Sequence, residues 1–155
     1  MQPIAHMRPR FVNAHFTAHA HNVNQRVADW NHIVRTLLFS SASHVPGKTI
    51  NTTIYATSHL FFLGDLNFRL EVPPAHPLRS NSNFMPQLHA LLNTERGREE
   101  LKEFDQLIIE RRKGTVFPGL WEAEFWRFKC TYKFNIGQVD QYRYVSTLAL
   151  NHSWE

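Results

Sequence analysis

The stretch LFFLGDLNFRLE, residues 60–71, predicts a core strand that ends in polar groups. Its first four residues are apolar and run without interruption into Gly64, which is typical of a short buried strand that stops abruptly. An acid, an amide and a guanidinium follow at Asp65, Asn67 and Arg69. Layered α/β proteins bind ligands at the carboxyl ends of such strands, because the strand holds the backbone while the next loop carries polar groups. We therefore expect a ligand site in this loop.

The composition describes a folded, basic protein of one domain. The chain has 155 residues, of which 43% are hydrophobic and 13% aromatic, which is enough to build a core and excludes a disordered class. No apolar run approaches the roughly 18 residues of a membrane span, and we expect no signal peptide in the first thirty residues. The net charge of +4 favours an anionic partner. The single cysteine, Cys130, excludes an intramolecular disulfide and predicts a reducing, cytoplasmic compartment.

Hydrophobic patterns on both sides of this stretch predict alternating strands and helices. The central strand is expected within residues 54–66, and an earlier strand within residues 10–16. Between them, apolar residues recur at steps of three and four over residues 22–39, which predicts an amphipathic helix. Residues 40–53 are rich in Ser, Thr, Pro and Gly and are expected to form a loop.

The second half of the chain is predicted to be helical first and irregular later. Residues 85–93 and 94–112 are expected to form two helices. The second has acidic residues early and basic residues late, which the helix dipole favours, and Gly114 follows it. After that, we expect irregular chain and one strand near residues 128–134. Trp121, Phe125 and Trp126 could form a lipid-facing rim, but aromatic core is the expected arrangement.

Three blocks of the sequence together resemble the inositol polyphosphate 5-phosphatase family, within the magnesium-dependent endonuclease/exonuclease/phosphatase superfamily. The first is FVNAHFTAH at residues 11–19 followed by Asn22, Arg26 and Asp29-Trp30, and the second is FFLGDLNFRLE at 61–71. The third is FDQLIIERRKGTVFPGLWEAEF at 104–125 followed by CTYKF at 130–134. The resemblance implies an α/β (α+β) fold, namely part of a two-sheet β-sandwich flanked by helices. It predicts a partial catalytic domain over residues 10–137 and a divergent tail over 138–155.

The chain also departs from the family pattern. A metal-binding glutamate that the family carries upstream of the first block has no match here, nor do its downstream Trp-x-Asp-Arg segment and Asp-His pair. Cys130 stands where the family has proline. We therefore expect an incomplete, truncated or degenerate copy with weak or absent activity of its own. Mg2+ is the cofactor expected for the complete domain, and no metal ligand is assigned in this chain.

The resemblance implies three catalytic residues. Asp65 would orient or deprotonate the attacking water, Asn67 would hydrogen-bond the phosphate, and His15 would hydrogen-bond the phosphate that is cleaved. On an extended backbone, residues two apart point to one face, so Asp65 and Asn67 are expected to address one phosphate together. The alternative is a turn in which Asp and Asn cap the end of a strand.

The same resemblance implies a substrate clamp made of Arg69, Tyr132 and Lys133. The Tyr-Lys pair would contact a neighbouring ring phosphate, the hydroxyl as a neutral donor and the ammonium as a point charge. The alternative is a solvated strand edge, and Arg69 could equally pair with an acid. A zinc site at His19 and His21 is not expected, since no Cys partner or HExxH pattern accompanies them.

The function expected from these residues is hydrolysis of the 5-phosphate of a phosphoinositide or a soluble inositol phosphate. The predicted partners are that substrate and, peripherally, a membrane surface, with no nucleic acid and a cytoplasmic location. Two alternatives stay open. One is a non-catalytic module that binds anionic headgroups, and the other is a magnesium-dependent nuclease of the same superfamily.

Overall fold

The structure is a computed structural model, and it describes residues 9–42, 47–79, 83–131, 134–138 and 141–142. Within these residues, one strand and one helix are followed by three strands and then by three α-helices. They are β1 Pro9–Asn13, α1 Val23–Thr36, β2 Leu38–Ala42, β3 Thr49–Thr53, β4 His59–Leu63, α2 Phe84–Leu92, α3 Glu95–Leu101 and α4 Gln106–Arg112. Short 3-10 turns lie at Ala20–Asn22, Lys102–Phe104 and Phe125–Arg127. The predicted mixture of helices and strands is confirmed.

The strands β1 and β4 pair in parallel and bring two distant parts of the chain to one edge. Their register runs from Pro9 opposite His59 to Asn13 opposite Leu63. The pairing continues past the strand ends, where the Ala14 amide donates to the Leu63 oxygen over 3.0 Å. Because the strands are parallel, their carboxyl ends meet at the same edge, and the loops that follow them lie side by side.

The central strand is shorter and less buried than the sequence predicted. It spans His59–Leu63 rather than residues 54–66, and turn residues separate it from β3. Phe61 and Leu63 are each 48% exposed, and the Phe61 ring stacks on Phe11 with centroids 4.9 Å apart. Alternate residues of a strand point to opposite faces, and α1 and the inner core cover only one face within the described residues. The prediction of a fully buried strand is therefore wrong.

Two further predictions near α1 are corrected. The helix ends at Thr36 rather than at residue 39, since the next residue, Leu37, has an extended ψ of 115°. The segment expected to be a loop contains an antiparallel pair, with Leu38 of β2 opposite Thr53 of β3. The β-branched and aromatic residues of these two stretches favour strands when each has a partner to pair with, which the turn composition alone does not reveal.

The helix expected over residues 94–112 is broken in two. Asp105 is extended, with ψ of 125°, and its side chain accepts hydrogen bonds from the amides of Leu107 and Ile108 to cap α4. Its backbone forms an isolated antiparallel bridge with Leu70, and this tertiary pairing competes with a continuous helix. The strand expected near residues 128–134 is also wrong in the described part, where Phe134 makes only an isolated bridge with Tyr142.

Two clusters of buried side chains form the core. The first lies between α1 and the β1–β4 pair and contains Val12, Phe16, Trp30, Ile54, Phe68, Val116 and Phe117. The second lies under α2 and α3 and contains Leu70, Val72, Leu88, Leu92, Leu101, Cys130 and Tyr142. Phe125 is buried as expected, whereas Trp121 is 99% exposed and so lies outside the core. After β4 the chain passes directly from the first cluster, at Phe68, to the second, at Leu70. The polar loop is therefore held between the two clusters.

Among the described residues, no helix is both long and apolar enough to cross a membrane.

Candidate functional site

The parallel strand ends bring an imidazole and a carboxylate together. The Phe16 amide donates to the Asp65 backbone oxygen over 2.9 Å, so the chain on either side of His15 is held against the loop after β4. The imidazole Nε2 of His15 lies 3.5 Å from Oδ2 of Asp65. Their side chains are 73% and 49% exposed. The two predicted catalytic residues therefore form an acid–imidazole pair that is open to solvent.

The backbone at Asn67 is not extended, in contrast to the geometry expected for the Asp65–Asn67 pair. Asn67 has φ of 56°, in the left-handed region that asparagine tolerates better than most residues. Its amide donates to Oδ1 of Asp65 over 3.2 Å, which is the turn that the alternative interpretation described. Asn67 is only 2% exposed. The two side chains therefore do not share one face, and a phosphate contact by Asn67 stays a prediction.

Both polar atoms of the Asn67 side chain are engaged inside the protein. Its Nδ2 donates to the Phe16 oxygen over 3.0 Å, and its Oδ1 accepts from Nη2 of Arg69. Arg69 is 7% exposed, so its guanidinium lies beneath the loop rather than on its surface. The amide thus ties the loop after β4 to the loop after β1. A substrate contact by Arg69 stays a prediction.

The glycine before Asp65 allows the two loops to approach each other. Gly64 has φ of 131°, which side chains of L-residues rarely adopt. A Cβ at this position would lie 2.0 Å from the Ala14 oxygen and 2.7 Å from Oδ1 of Asn13. Only glycine allows β4 to end this close to the chain after β1, so the glycine that ends the apolar run of residues 60–63 sets the geometry of the site.

A buried arginine supports the segment after His15, and the sequence analysis assigned it no role. Arg26 has no exposed surface, and its Nη1 donates to the oxygens of Thr17 and His19 over 3.0 and 2.7 Å. The signal that could have found it is its position on the apolar face of the predicted helix, three residues after Val23. A charged residue on an apolar face indicates a buried charge that must be satisfied by hydrogen bonds.

One turn further along α1, Asp29 holds the same segment. Its Oδ2 accepts from the backbone amide and from the hydroxyl of Thr17, each over 2.8 Å. Burial alone would raise the pKa of Asp29, but the hydrogen bonds from Thr17 and Gln25 and the charge of Arg26 bring its pKa below the ordinary value. The carboxylate is therefore ionised at neutral pH and works as an anchor for the loop that carries His15.

Tyr132 and Lys133 lie outside the described residues. The rings of His19 and His21 stack with centroids 5.9 Å apart.

The described residues do not fit a magnesium centre by themselves. In that part of the chain, no group of three or more His, Cys, Asp or Glu side chains is placed to hold a metal ion. Mg2+ demands near-octahedral oxygen coordination, usually with one or two protein carboxylates. At the loop, Asp65 faces the nitrogen of His15, which is a poor ligand for so hard a cation. No step of the chemistry below is therefore assigned to a metal.

Comparison with known proteins gives one consistent family. The model of Endonuclease/Exonuclease/phosphatase family 2 matches residues 3–148. Polyphosphatidylinositol phosphatase INP53 of Saccharomyces cerevisiae is 34% identical over 128 residues, which cover 82% of this chain and 10% of that protein. Type IV inositol polyphosphate 5-phosphatase 11 of Arabidopsis thaliana is 32% identical over 130 residues, which cover 84% of this chain and 32% of that protein. The chain thus spans at most about a third of these relatives' lengths.

A solved structure shares the fold. It is the inositol polyphosphate 5-phosphatase domain of SPsynaptojanin, in complex with inositol (1,4)-bisphosphate and calcium ion. The TM-score is 0.60 at 23% sequence identity, and the match covers 92% of this chain and 36% of that one. The fold expected from the resemblance is confirmed by this likeness.

Proposed function

Because the chain belongs to Endonuclease/Exonuclease/phosphatase family 2, we propose that it serves the hydrolysis of the 5-phosphate of inositol phosphates. Relatives named as phosphoinositide or inositol polyphosphate 5-phosphatases, at 30% to 34% identity over most of the chain, support this reaction. The observation that carries the proposal is the exposed pair of His15 and Asp65, held 3.5 Å apart where two parallel strands end.

In the proposed reaction, a water molecule attacks the phosphorus of the 5-phosphate monoester. The bond between phosphorus and the ring oxygen breaks, the ring oxygen takes up a proton from solvent, and the products are an inositol hydroxyl and inorganic phosphate. Asp65 accepts a proton from the attacking water as a general base. His15 donates a hydrogen bond to a phosphate oxygen and stabilises the charge that develops there. Asn67 and Arg69 hold the loop in place from below, as their internal hydrogen bonds allow.

The proposed substrate class is an inositol phosphate, either free or as a lipid headgroup. Tyr132 and Lys133 are the proposed contacts to a neighbouring ring phosphate, as the family resemblance implies, and the contact predicted for Arg69 would need its buried guanidinium to turn outward. The net charge of +4 favours such an anionic ligand. Mg2+ is the cofactor expected for the complete domain, and it is therefore the divalent ion proposed for the assay.

We propose that the chain works in the cytoplasm and contacts membranes peripherally. Trp121, which is 99% exposed, is the side chain proposed to enter the lipid interface, since tryptophan favours that region. Co-sedimentation with vesicles that contain phosphatidylinositol 4,5-bisphosphate tests this contact. Trp121→Ala should reduce the bound fraction without changing turnover of a soluble substrate. Equal binding by both proteins would contradict the membrane contact.

Phosphate release from the purified chain tests the catalytic proposal. The substrates are inositol 1,4,5-trisphosphate and vesicles of phosphatidylinositol 4,5-bisphosphate, each with magnesium or with EDTA. Asp65→Asn and His15→Gln should each lower the rate by about a hundredfold or more, the usual contribution of an acid or base group. Glu100→Gln, an exposed position on α3, is the matched control and should leave the rate unchanged.

Other outcomes distinguish the alternative functions. Binding of inositol phosphates without release, weakened by Lys133→Ala and by salt, would identify a headgroup-binding module. Cleavage of plasmid DNA under conditions that leave inositol phosphates intact would identify a nuclease. Release that is insensitive to Asp65→Asn would overturn the assignment of this site.

A further inference from the structure

We propose that Gln106 is a positioning residue, which holds the segment after β1 and the segment after β4 in register through its buried side-chain amide. The inference rests on the proposed function, because it concerns the residues that carry His15 and Asp65. Gln106 touches neither reacting group, so any effect on the site must pass through the two segments.

Gln106 is held in place by its own backbone. It is the first residue of α4 and is 3% exposed. Its amide donates to the Arg69 oxygen over 3.0 Å, next to the bridge between Leu70 and Asp105. The helix therefore begins directly against the chain that leaves the Asp65 loop, and its first side chain enters the space between that chain and the residues after His15.

The carbonyl oxygen of the Gln106 side chain accepts from both segments. Nη2 of Arg26 donates to Oε1 over 2.7 Å, and the backbone amide of Arg69 donates to the same oxygen over 2.9 Å. Arg26 in turn donates to the oxygens of Thr17 and His19, which lie two and four residues after His15. One oxygen atom thus joins the support of the His15 segment to the backbone of the Asp65 loop.

The amide nitrogen makes a second connection between the same two segments. Nε2 of Gln106 donates to the Ala20 oxygen over 3.0 Å and to Oε2 of Glu71 over 2.7 Å. A glutamine side chain has two donor hydrogens and two acceptor lone pairs, and here all four are used. The opposite orientation of the amide would place its NH2 group against two other donors, Arg26 and the Arg69 amide. The network therefore selects one orientation.

Loss of this amide should affect both segments at once. Buried polar networks are strong when complete, and each buried donor or acceptor that loses its partner is costly. Without Gln106, Arg26 loses one of its acceptors and the Arg69 backbone amide loses its hydrogen bond to Oε1. The two loops would then be joined mainly at Phe16, whose oxygen accepts from the Asn67 side chain and whose backbone amide donates to the Asp65 oxygen. His15 and Asp65 would sample a wider range of separations.

Two variants of Gln106 and one compensating change test the proposal. Gln106→Met keeps the length of the side chain and removes the amide. Gln106→Glu keeps an acceptor for Arg26 and Arg69 but places a second carboxylate beside Glu71. When Glu71→Gln is combined with Gln106→Glu, the new glutamine amide at position 71 donates to the new carboxylate at position 106. The hydrogen bond between the two side chains is thus restored with donor and acceptor exchanged. Leu92→Ala, in the second core cluster and fully buried, is the control for general destabilisation.

The measurements use the full chain, at temperatures where circular dichroism shows each variant to be folded. Affinity is measured for inositol 1,4-bisphosphate, and hydrogen–deuterium exchange is followed in residues 14–20 and 64–69, which leave out Leu70 because it shares a core cluster with Leu92. Gln106→Met should weaken binding by about tenfold or more, the equivalent of a lost buried hydrogen bond, and speed exchange in both segments. Leu92→Ala should lower the melting temperature while leaving affinity and exchange in these segments unchanged. Gln106→Glu should also weaken binding, and Glu71→Gln should restore part of the lost affinity, since the Ala20 oxygen still lacks its donor.

The proposal would be overturned if Gln106→Met had the affinity and the exchange rates of the wild-type chain. It would also be overturned if Leu92→Ala changed affinity and exchange as much as Gln106→Met does. If Gln106→Met does not fold, Gln106→Glu with and without Glu71→Gln decides the question, and a loss without recovery overturns it. If the wild-type chain does not bind inositol 1,4-bisphosphate, the proposed function fails. Exchange in the ligand-free protein then decides the positioning role separately. Faster exchange of both segments in Gln106→Met than in the wild-type chain supports the role, and unchanged exchange overturns it.

Discussion

The side-chain amide of Asn67 donates to the backbone oxygen of Phe16 over 3.0 Å, which joins the two loops of the site beneath its surface. Asn67→Ala should lower the free energy of unfolding by about 2–4 kcal/mol, because it leaves a buried oxygen without this donor and places alanine at φ of 56°. Asn67→Gly, which adopts that φ readily, should lose about 1 kcal/mol less. Urea unfolding measures both. Equal losses would contradict the contribution assigned to the left-handed backbone.

The close approach at Gly64 predicts an unusually damaging substitution. Gly64→Ala would place a Cβ 2.0 Å from the Ala14 oxygen, and neither backbone can move without breaking the pairing of β1 with β4. We expect a loss of at least about 4 kcal/mol, or failure to fold. Gly119→Ala is the matched control, since Gly119 has φ of 75° but nothing within 4 Å of its Cβ position. It should cost about 1 kcal/mol in urea unfolding. Similar losses for the two variants would contradict the steric explanation.

The cap of α4 predicts a specific dependence of stability on pH. The pKa of Asp105 is raised to about 7, mainly by burial and to a smaller extent by the charge of Glu122. The hydrogen bonds from the amides of Ile108 and Leu107 oppose this rise. Between the ordinary value of 3.8 and about 7, the unfolded chain is ionised at this residue and the folded one is protonated. Unfolding then releases a proton, so stability falls as pH rises through this range.

Asp105→Asn keeps the capping oxygen and removes this titration. The wild-type protein should therefore lose up to about 4 kcal/mol relative to Asp105→Asn as pH rises from about 4 to 7, and the difference should level off above that. Urea unfolding at a series of pH values measures the difference directly, and other titrating groups cancel in the comparison. A constant difference across the range would contradict the raised pKa of Asp105.

Cys130 should be chemically inert in the folded protein. It has no exposed surface. Burial raises its pKa, the charge of Asp105 raises it further, and Arg98 opposes both, so the reactive thiolate is scarce at neutral pH. A thiol reagent such as DTNB should react only as fast as the protein unfolds and should react fully in urea. Cys130→Ala combined with Glu100→Cys, an exposed position on α3, should react at once. Rapid labelling of the native wild-type chain would contradict this burial.

Much of the local structure could be predicted because it depends on neighbouring residues. The apolar repeat before residue 39 predicted α1 to within a few residues, since helix periodicity is a short-range signal. The abrupt end of the apolar run at Gly64 predicted where β4 stops. The family resemblance selected His15 and Asp65, and the structure places these two side chains together.

The sequence by itself determined α1, the end of β4 and the polar residues that follow β4, because propensity and periodicity act over a few neighbouring positions. Only the tertiary structure decided the left-handed turn at Asn67, the burial of Arg69 and the break at Asp105. Each depends on a partner that is distant in the chain, such as Phe16 for Asn67 and Leu70 for Asp105. The hydrogen bonds to such partners outweigh local preference because buried polar groups must be satisfied. For that reason the sequence placed Gln106 in the third block of the family resemblance but predicted no role for it, although both site segments converge on its side chain.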